Sequence, residues 1–303
     1  MSMTETIKLY DRDAYAIEFE ADIISCEPNK ADDKQFDIIL NQTLFFPEEG
    51  GQSPDMGILG GYKVVDVQIK NGVITHTVDI SADDCCIMGK EEAQTEKTTD
   101  GQIIGMECVS EKVELAAGVH VQGKIDWQHR FYNMQQHSGE HIFSGIVHRR
   151  FGFENVGFHL SDSVVTMDFS GVISPEDIAE VEHEVNVAIS KNIPIEVTYP
   201  SRDELAQLEY RSKIEIEGQV RIVTVPGYDV CACCAPHVKR TGEIGMLKVM
   251  NYQNYKGGVR ISIFCGFRAL EAFRQKCDII SRASMGDIYH KIQEAIVDNS
   301  TQA

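Results

Sequence analysis

The chain has 303 residues, of which 43% are hydrophobic and 25% are charged, a composition typical of a soluble globular protein with two domains. No apolar run reaches the roughly 18 residues of a membrane-spanning helix, and the N-terminus lacks a signal-like apolar stretch, so we expect a cytoplasmic protein without a membrane partner. The formal net charge of −19 excludes a protein that coats nucleic acid non-specifically, because contacts with phosphates need Lys and Arg.

The first 125 residues are predicted to be mainly β-structure. Alternation of apolar and polar residues, with turn signals such as Asn71-Gly72, predicts strands at 14–23, 36–40, 62–69, 73–78 and 119–125. Short strands separated by turns favour a small barrel or a sandwich. The polar stretch from 81 to about 112 is predicted to be a long excursion or a small insertion before the last of these strands.

The pattern changes near Trp127, where helical spacing begins. Helices are predicted at 130–150 and from the N-cap Ser174 to Asn192, followed by a strand at 193–199, a short helix at 202–210 and strands at 220–225, 245–250 and 259–264. This order predicts an α+β region. The segment 267–297 is predicted to be one amphipathic helix, whose apolar stripe needs either the domain body or a second chain as its partner.

The first candidate site motif is His137-Ser-Gly-Glu140-His141. On a helix, side chains four residues apart lie on the same face, so both imidazoles can reach one metal ion. Glu140 lies to the other side of His137, where it can reach a water or orient a ligand. A pair of histidines at this spacing is also common on helix surfaces and in cores, so the motif alone does not identify a metal site.

The second motif is Cys233-Cys-Ala-Pro236-His237. Pro236 disfavours a helix interior, so the motif is predicted to be a loop that presents a thiolate and an imidazole. Two histidines from a helix, with a Cys and a His from a loop, make a mixed set of ligands that suits zinc best. Cys231 and Cys234 stay open as alternative ligands, or as small buried side chains.

A third motif follows the strand at 36–40. It reads Phe45-Phe-Pro-Glu-Glu-Gly50-Gly51-Gln52, and its paired glycines allow positive φ angles and a close approach of the backbone to a partner. By chemistry alone, this segment predicts a tight turn between strands.

Together these motifs resemble the editing region of alanyl-tRNA synthetase and its free-standing relatives, the AlaX trans-editing proteins. Residues 45–57 resemble the Gly-Gly-Gln element of that family, and residues 123–141 resemble the segment that enters its His-x-x-x-His helix. Residues 230–245 resemble the Cys-x-x-x-His element with its sequel, and 258–261 resemble the strand after it. It is the order of the motifs along the chain that makes the resemblance specific.

The resemblance implies an α+β fold with three regions. These are a small N-terminal β-barrel domain with the Gly-Gly-Gln element at 1–125, a zinc-dependent editing domain at 126–265 and a C-terminal amphipathic helix at 266–303. It implies one zinc ion held by His137, His141, Cys233 and His237, and hydrolysis in trans of the ester that joins serine or glycine to alanine tRNA. No synthetase catalytic region precedes these motifs, so we expect no synthesis of alanyl-tRNA.

The chain departs from the family pattern near the implied ligands. Glu140 stands where the family often has Thr or Gln, close to the bound amino acid, and Cys234-Ala-Pro replaces Gly-Gly-Thr between the metal-binding Cys and His. We predict that Glu140 is a general base on water. We also predict that His159 lies at the pocket wall, with a structural hydrogen bond in a strand as its alternative role.

The predicted partner is the aminoacylated 3′ end of alanine tRNA. The residues predicted to contact it are Gly50, Gly51, Gln52, Arg130, Lys239 and Arg240. By themselves, the basic pairs predict only a solvated surface. The C-terminal helix is predicted to be capable of joining two chains into a homodimer.

Two other functions stay open from the sequence. The first is a non-catalytic module that binds tRNA or protein and contains a structural zinc, because four candidate ligands suffice for a closed site. The second is a zinc metallopeptidase, because His137-x-x-Glu-His141 also fits the inverzincin pattern, in which the Glu is the general base.

Overall fold

The computed structural model describes residues 5–81, 112–212 and 218–282. Two 3₁₀ turns, Leu9–Asp11 and Thr241–Ile244, accompany the helices and strands. In chain order, the helices and strands are β1 (Ile7–Lys8), β2 (Glu18–Pro28), β3 (Gln35–Leu40), β4 (Gln42–Thr43), β5 (Gly57–Leu59), β6 (Tyr62–Lys70), β7 (Val73–Asp79), β8 (His120–Ile125), α1 (Trp127–Phe151), β9 (Asn155–Leu160), β10 (Val165–Phe169), α2 (Pro175–Ser190), β11 (Glu196–Thr198), α3 (Arg202–Leu205), β12 (Ile222–Val225), β13 (Asp229–Ala232), β14 (Leu247–Tyr255), β15 (Gly258–Cys265) and α4 (Gly266–Arg282).

The N-terminal strands form an antiparallel barrel. Their order is β2-β3-β7-β6-β5-β8, and β8 pairs with both β5 and β2. In β8 every second residue is buried, as expected for a strand with one face on a core. The side chains inside include Phe19, Ile38, Val64 and Ile74. Burial of this apolar surface is the main driving force for the fold of this part.

The second part combines helices with two antiparallel sheets. A four-stranded sheet has the order β14-β15-β10-β9, and a three-stranded sheet has the order β11-β12-β13. Both α1 and α2 pack against the larger sheet, and their buried side chains, such as Ile142, Phe143 and Val181, share one core with Met167 and Ile261 from its strands. The sheet and the helices therefore stabilise each other through a single apolar layer.

Capping side chains determine where α1 and α2 begin. Asp126 accepts a hydrogen bond from the amide of His129 at 3.1 Å, so α1 begins earlier than the predicted residue 130. The helix ends at Gly152, which has a φ of 69°. Ser174 accepts from the amide of Asp177 at 3.1 Å, so the prediction of this N-cap is confirmed.

The structure confirms the α+β class and most of the predicted elements. The strands β1, β4, β5, β10 and β13 were not predicted, because each has only two to five residues, too few for a clear alternation of apolar and polar side chains. The strand β9 was considered only as the alternative environment of His159. The predicted polar excursion falls on 82–111 and the end of the predicted C-terminal helix on 283–297, and both lie outside the described residues. The division into regions 1–125, 126–265 and 266–303 stays a prediction. No helix of the described part of the chain has the length and apolarity to span a membrane.

One buried ion pair joins α1 to the barrel. Arg130 donates from Nε to both oxygens of Asp55, at 3.0 and 2.9 Å, and from Nη1 to the carbonyl of Ala14 at 3.0 Å. The Asp55 carboxylate also accepts from the amide of Phe46 at 2.6 Å. Both charged side chains are completely buried. Since their charges and hydrogen bonds are satisfied only together, this pair fixes the position of α1 relative to the segment that carries Asp55.

Asp55→Asn is expected to lower the free energy of unfolding by about 3–5 kcal/mol, because it leaves the Arg130 charge buried without its counter-charge. Urea denaturation followed by circular dichroism measures the change. Lys124→Ala is the matched control, since it removes an ion pair with Glu18 in which both side chains are mainly exposed, and we expect it to change stability little. Equal effects of the two substitutions would contradict this account of the junction.

Candidate metal centre

Two of the predicted ligands come from consecutive turns of α1. His137 and His141 lie on the same face of the helix, and the centroids of their rings are 5.4 Å apart. Both are buried, with 4% and 2% of their surface exposed. The helix therefore presents two imidazoles to one point inside the protein.

The other two predicted ligands come from the irregular segment after β13, as the sequence predicted for the region around Pro236. The Sγ atom of Cys233 lies 3.6 Å from Nε2 of His137 and 3.4 Å from Nε2 of His237. The rings of His237 and His141 are 4.5 Å apart. One ligand atom from each of these residues lies within 4.8 Å of the others, so the four side chains form a cluster that can hold a metal ion.

Each imidazole of the cluster has its other ring nitrogen, Nδ1, in a hydrogen bond. Such bonds select the tautomer of a ligating histidine and direct its Nε2 towards the ion. The Nδ1 partners are Gln52 Oε1 for His137 at 2.7 Å, Asp229 Oδ2 for His141 at 2.9 Å and Ser138 Oγ for His237 at 3.0 Å. The cluster is therefore oriented in advance by protein groups that do not touch the ion.

The backbone of the Gly-Gly-Gln segment places the side chain of Gln52 against the imidazole of His137. Gly51 has a φ of 85°, and a Cβ atom there would lie 2.3 Å from the carbonyl oxygen of Phe158. The segment pairs with the end of β9, since the amide of Leu160 donates to Gly51 at 2.7 Å and the amide of Ser53 donates to Leu160 at 2.9 Å. Gln52 is fully buried. Its position supports a role in orienting His137, whereas Gly50 is exposed.

Burial and charges within the cluster shift the pKa values of three of the four candidate ligands. Burial raises the pKa of the Cys233 thiol, but the imidazoles of His137 and His237 beside it bring that pKa well below its usual value. Burial lowers the pKa of His237 to about 3. Burial also opposes protonation of His141, yet its hydrogen bond to Asp229 raises the pKa of His141 above the usual value. A thiolate and neutral imidazoles are the ligating forms, so the pKa shifts of Cys233 and His237 favour ligation and the pKa shift of His141 opposes it.

The structure distinguishes between the three neighbouring cysteines. Only Cys233 belongs to the cluster with the three histidines. Cys234 lies on another side, where its Sγ is 3.6 Å from the position of a Cβ on Gly50. Cys231 is near His141 and Asp229, and burial raises the pKa of its thiol to about 11. Burial therefore favours the protonated thiol at Cys231, whereas the neighbouring imidazoles favour the thiolate at Cys233.

The two residues predicted to be catalytic occupy different environments. Glu140 is buried beside the cluster, and its Oε1 accepts from Ser144 Oγ at 2.7 Å and from Asn155 Nδ2 at 2.6 Å. His159 is exposed. Its neighbour Phe158 has its ring 4.8 Å from that of His137, and successive side chains of a strand point to opposite faces. His159 therefore points away from the cluster, and the prediction that it lines the pocket is wrong.

The three basic residues predicted to contact tRNA also differ in their exposure to solvent. Arg130 is completely buried in its ion pair with Asp55, so it has no surface to offer to tRNA and that prediction is wrong. Lys239 and Arg240 are exposed and follow His237 closely in the chain. The Lys239 ammonium lies 4.2 Å from the centroid of the Tyr15 ring, a cation–π contact.

Two residues of the site, Ser138 and Asp229, were not predicted from the sequence. Ser138 stands inside the His-x-x-x-His motif but was not assigned a role, and a hydroxyl directly after a ligand was the available signal. Asp229 lies on β13, in a strand that was not predicted, 88 positions from the histidine that it contacts. Contacts over such separations have no local signature in a single sequence.

Comparison with known proteins agrees with this arrangement. Residues 220–262, which include Asp229, Cys233 and His237, match the threonyl and alanyl tRNA synthetase second additional domain. The alanyl-tRNA editing protein AlaX-L of Pyrococcus horikoshii is 29% identical over 275 residues, which are 88% of this chain and 60% of the relative. The alanyl-tRNA editing protein Aarsd1 of Mus musculus is 28% identical over 87% of this chain and 60% of its own length.

The same region also occurs within a larger enzyme. The alanine–tRNA ligase of Halobacterium salinarum is 30% identical over 94% of this chain, but the match covers only 29% of the ligase. The chain spans 60% of the length of each of the two editing proteins that it matches. The resemblance predicted from the motifs is confirmed: residues 220–262 match the second additional domain of threonyl and alanyl tRNA synthetases, and most of the chain is similar to alanyl-tRNA editing proteins.

Proposed function

We propose that this protein is a zinc-dependent deacylase that hydrolyses mischarged Ser- or Gly-tRNA(Ala) in trans. The observation that carries the proposal is the cluster of His137, His141, Cys233 and His237. It occurs in a chain that is similar over most of its length to alanyl-tRNA editing proteins. The whole reaction, its substrate and its metal are proposals for this chain.

The dimensions of the cluster suit zinc. In a tetrahedral site with Zn–S near 2.3 Å and Zn–N near 2.0 Å, a sulfur and a nitrogen ligand are about 3.5 Å apart. The corresponding distances from Cys233 to His137 and His237 are 3.6 and 3.4 Å. A mixed set of thiolate and imidazole ligands also favours zinc over the hard cations Mg²⁺ and Ca²⁺.

The chemistry needs a base and an ordered pocket beside the ligands. When bound, zinc polarises a carbonyl group and makes a water more acidic. Glu140 is the proposed general base, and the hydrogen bonds from Ser144 and Asn155 fix the orientation of its carboxylate. Gln52, Asp229 and Ser138 keep the three imidazoles in their ligating tautomers.

The proposed partner is the aminoacylated 3′ end of alanine tRNA. Lys239 and Arg240 are exposed next to the segment that holds Cys233 and His237, so they can contact the phosphates of an end that enters the site. Gly50 is also exposed and lies near Cys234. The pairing of two chains through α4 also stays a prediction. Its motivation is that the apolar side chains of Phe273, Ile279 and Ile280 on this helix are exposed.

The two alternative functions are less well supported. A metallopeptidase of the inverzincin type is disfavoured because the cluster contains no carboxylate, and Asp229 is directed to Nδ1 of His141. A binding module with a structural zinc has the same four ligands, so only hydrolysis distinguishes it from the enzyme.

The first prediction of this proposed function concerns the zinc content of the protein. The protein purified with zinc is expected to contain about one zinc ion per chain. Cys233→Ser is expected to lose it, since the variant removes the only thiolate of the cluster. Cys234→Ser is the matched control, because its sulfur lies outside the cluster, and it should retain zinc. Elemental analysis after gel filtration measures both, and equal zinc contents of the two variants would assign the metal elsewhere.

The second prediction concerns the substrate. Zinc-loaded protein is expected to deacylate Ser- or Gly-tRNA(Ala) and to spare Ala-tRNA(Ala), and His141→Ala is expected to be inactive because it lacks one ligand. Release of the radiolabelled amino acid from each tRNA measures the rates. Absence of hydrolysis by the zinc-loaded protein, with all three tRNAs intact, would favour the binding module instead.

The third prediction concerns Glu140. Glu140→Gln is expected to retain zinc and to lower the hydrolytic rate by about 10²–10⁴-fold, the usual contribution of a general base. Zinc content and single-turnover deacylation are measured on the same sample. Glu154→Gln, which changes an exposed carboxylate paired with His148, is the control. Turnover of Glu140→Gln equal to that of the parent would remove Glu140 from the mechanism.

A further inference from the structure

Arg211 and Asp229 form a forked ion pair, with two hydrogen bonds between them, on the Nδ1 side of His141. Arg211 donates from Nε to Oδ1 of Asp229 at 2.7 Å and from Nη2 to Oδ2 at 3.0 Å. The two side chains are 10% and 1% exposed. Two parallel hydrogen bonds fix the plane of a carboxylate as well as its position.

The same carboxylate holds the imidazole of His141. Oδ2 of Asp229 lies 2.9 Å from Nδ1 of His141, so it accepts from Arg211 and from the imidazole together. A carboxylate with only the imidazole as its partner can rotate about its side-chain torsions. Arg211 removes that freedom, and the direction of the His141 ring then follows from the orientation of Asp229.

The backbone of Arg211 is attached to the strand that leads to Cys233. The amide of Arg211 donates to the carbonyl of Val230 at 2.8 Å, and the amide of Ala232 donates to the carbonyl of Arg211 at 2.9 Å. These bonds lie on either side of Cys231, which pairs with Arg211 as an isolated parallel bridge. Arg211 is thus fixed at its backbone and at its side chain to the same short strand.

A glycine in α1 allows this strand to approach the helix. Gly145 lies one turn after His141, and a Cβ atom there would be 2.3 Å from the carbonyl oxygen of Tyr228 and 2.8 Å from Cβ of Asp229. Any side chain at this position would push the turn between β12 and β13 away from α1. The close approach places Asp229 beside His141. The helix, the turn and Arg211 therefore all determine the hydrogen bond between Asp229 and His141.

We propose that Arg211 is a positioning residue of the metal centre: it holds Asp229 so that His141 presents Nε2 to the ion. Arg211 does not touch the ligand atoms of the cluster, and its contribution is the retention of the metal. The inference rests on the metal site proposed above, and it is independent of which ester is hydrolysed.

The test measures release of zinc and not hydrolysis. Arg211→Met keeps most of the length of the side chain and removes the fork. It is expected to release zinc to an excess of chelator about 10-fold faster than the parent, at the lower end of the effect on metal affinity of losing a partner of a ligand, because Arg211 acts through Asp229. Visible absorption of the cobalt-substituted protein reports the geometry at the ion, and its d–d bands are expected to change. Circular dichroism of the metal-free protein verifies the fold.

The chain offers a matched control for the loss of a forked ion pair. Arg260 donates from Nε and Nη2 to the two oxygens of Asp168, both at 2.6 Å. This pair lies on the face of the sheet opposite Met167 and Phe158, and therefore away from the cluster. Arg260→Met is expected to release zinc at a rate within twofold of the parent.

The outcomes are distinguishable from each other. If the parent binds no zinc, the proposed metal site itself fails. If the parent binds zinc and Arg211→Met releases it within twofold of the parental rate, the positioning role is overturned. If Arg211→Met does not fold, Arg211→Lys decides, because its ammonium cannot form the fork: release at least threefold faster supports the role, and release within twofold of the parent overturns it.

Discussion

The hydrogen bonds at Nδ1 of the three imidazoles are the interactions on which the candidate metal centre depends. A histidine has two ring nitrogens, and which one faces a metal depends on the bond that the other makes. Here a side-chain amide, a carboxylate and a hydroxyl each form a hydrogen bond with one Nδ1 atom. The Nε2 atoms are therefore directed towards Cys233. Because buried polar groups need partners, these bonds also keep the site ordered before an ion enters.

The barrel is part of this centre and not only an attachment to it. Asp55 and Gln52 belong to the same segment after β4, and they contact Arg130 and His137 on α1. These two α1 residues are about two helical turns, or roughly 10 Å, apart on one face of the helix. One buried ion pair and one amide–imidazole hydrogen bond therefore fix the rotation of α1 about its axis and its position along that axis relative to the barrel. A shift of α1 would change the position of the ligands.

The four candidate ligands differ in their exposure to solvent. His137, His141 and His237 are buried, whereas Cys233 is partly exposed. Exposed Lys239 and Arg240 follow the ligand segment, on a protein with a net charge of −19. A local positive charge on an acidic protein confines the attraction for a polyanion to one place, because distant charges are screened within about 10 Å at moderate salt.

The family resemblance selected Cys233 among the neighbouring cysteines, and the sequence by itself determined the α+β class, the N-cap of α2 and the two candidate ligand motifs. Those features depend on local periodicity, on capping residues such as Ser174 and on motif spacing, all of which are visible over a few residues. Only the tertiary structure decided the roles of Arg130, His159 and Gln52. Their environments come from contacts such as Arg130 with Asp55, 75 positions away, and Gln52 with His137, 85 positions away. Whether an arginine faces solvent or a buried carboxylate depends on packing between distant segments, and no local pattern contains that information.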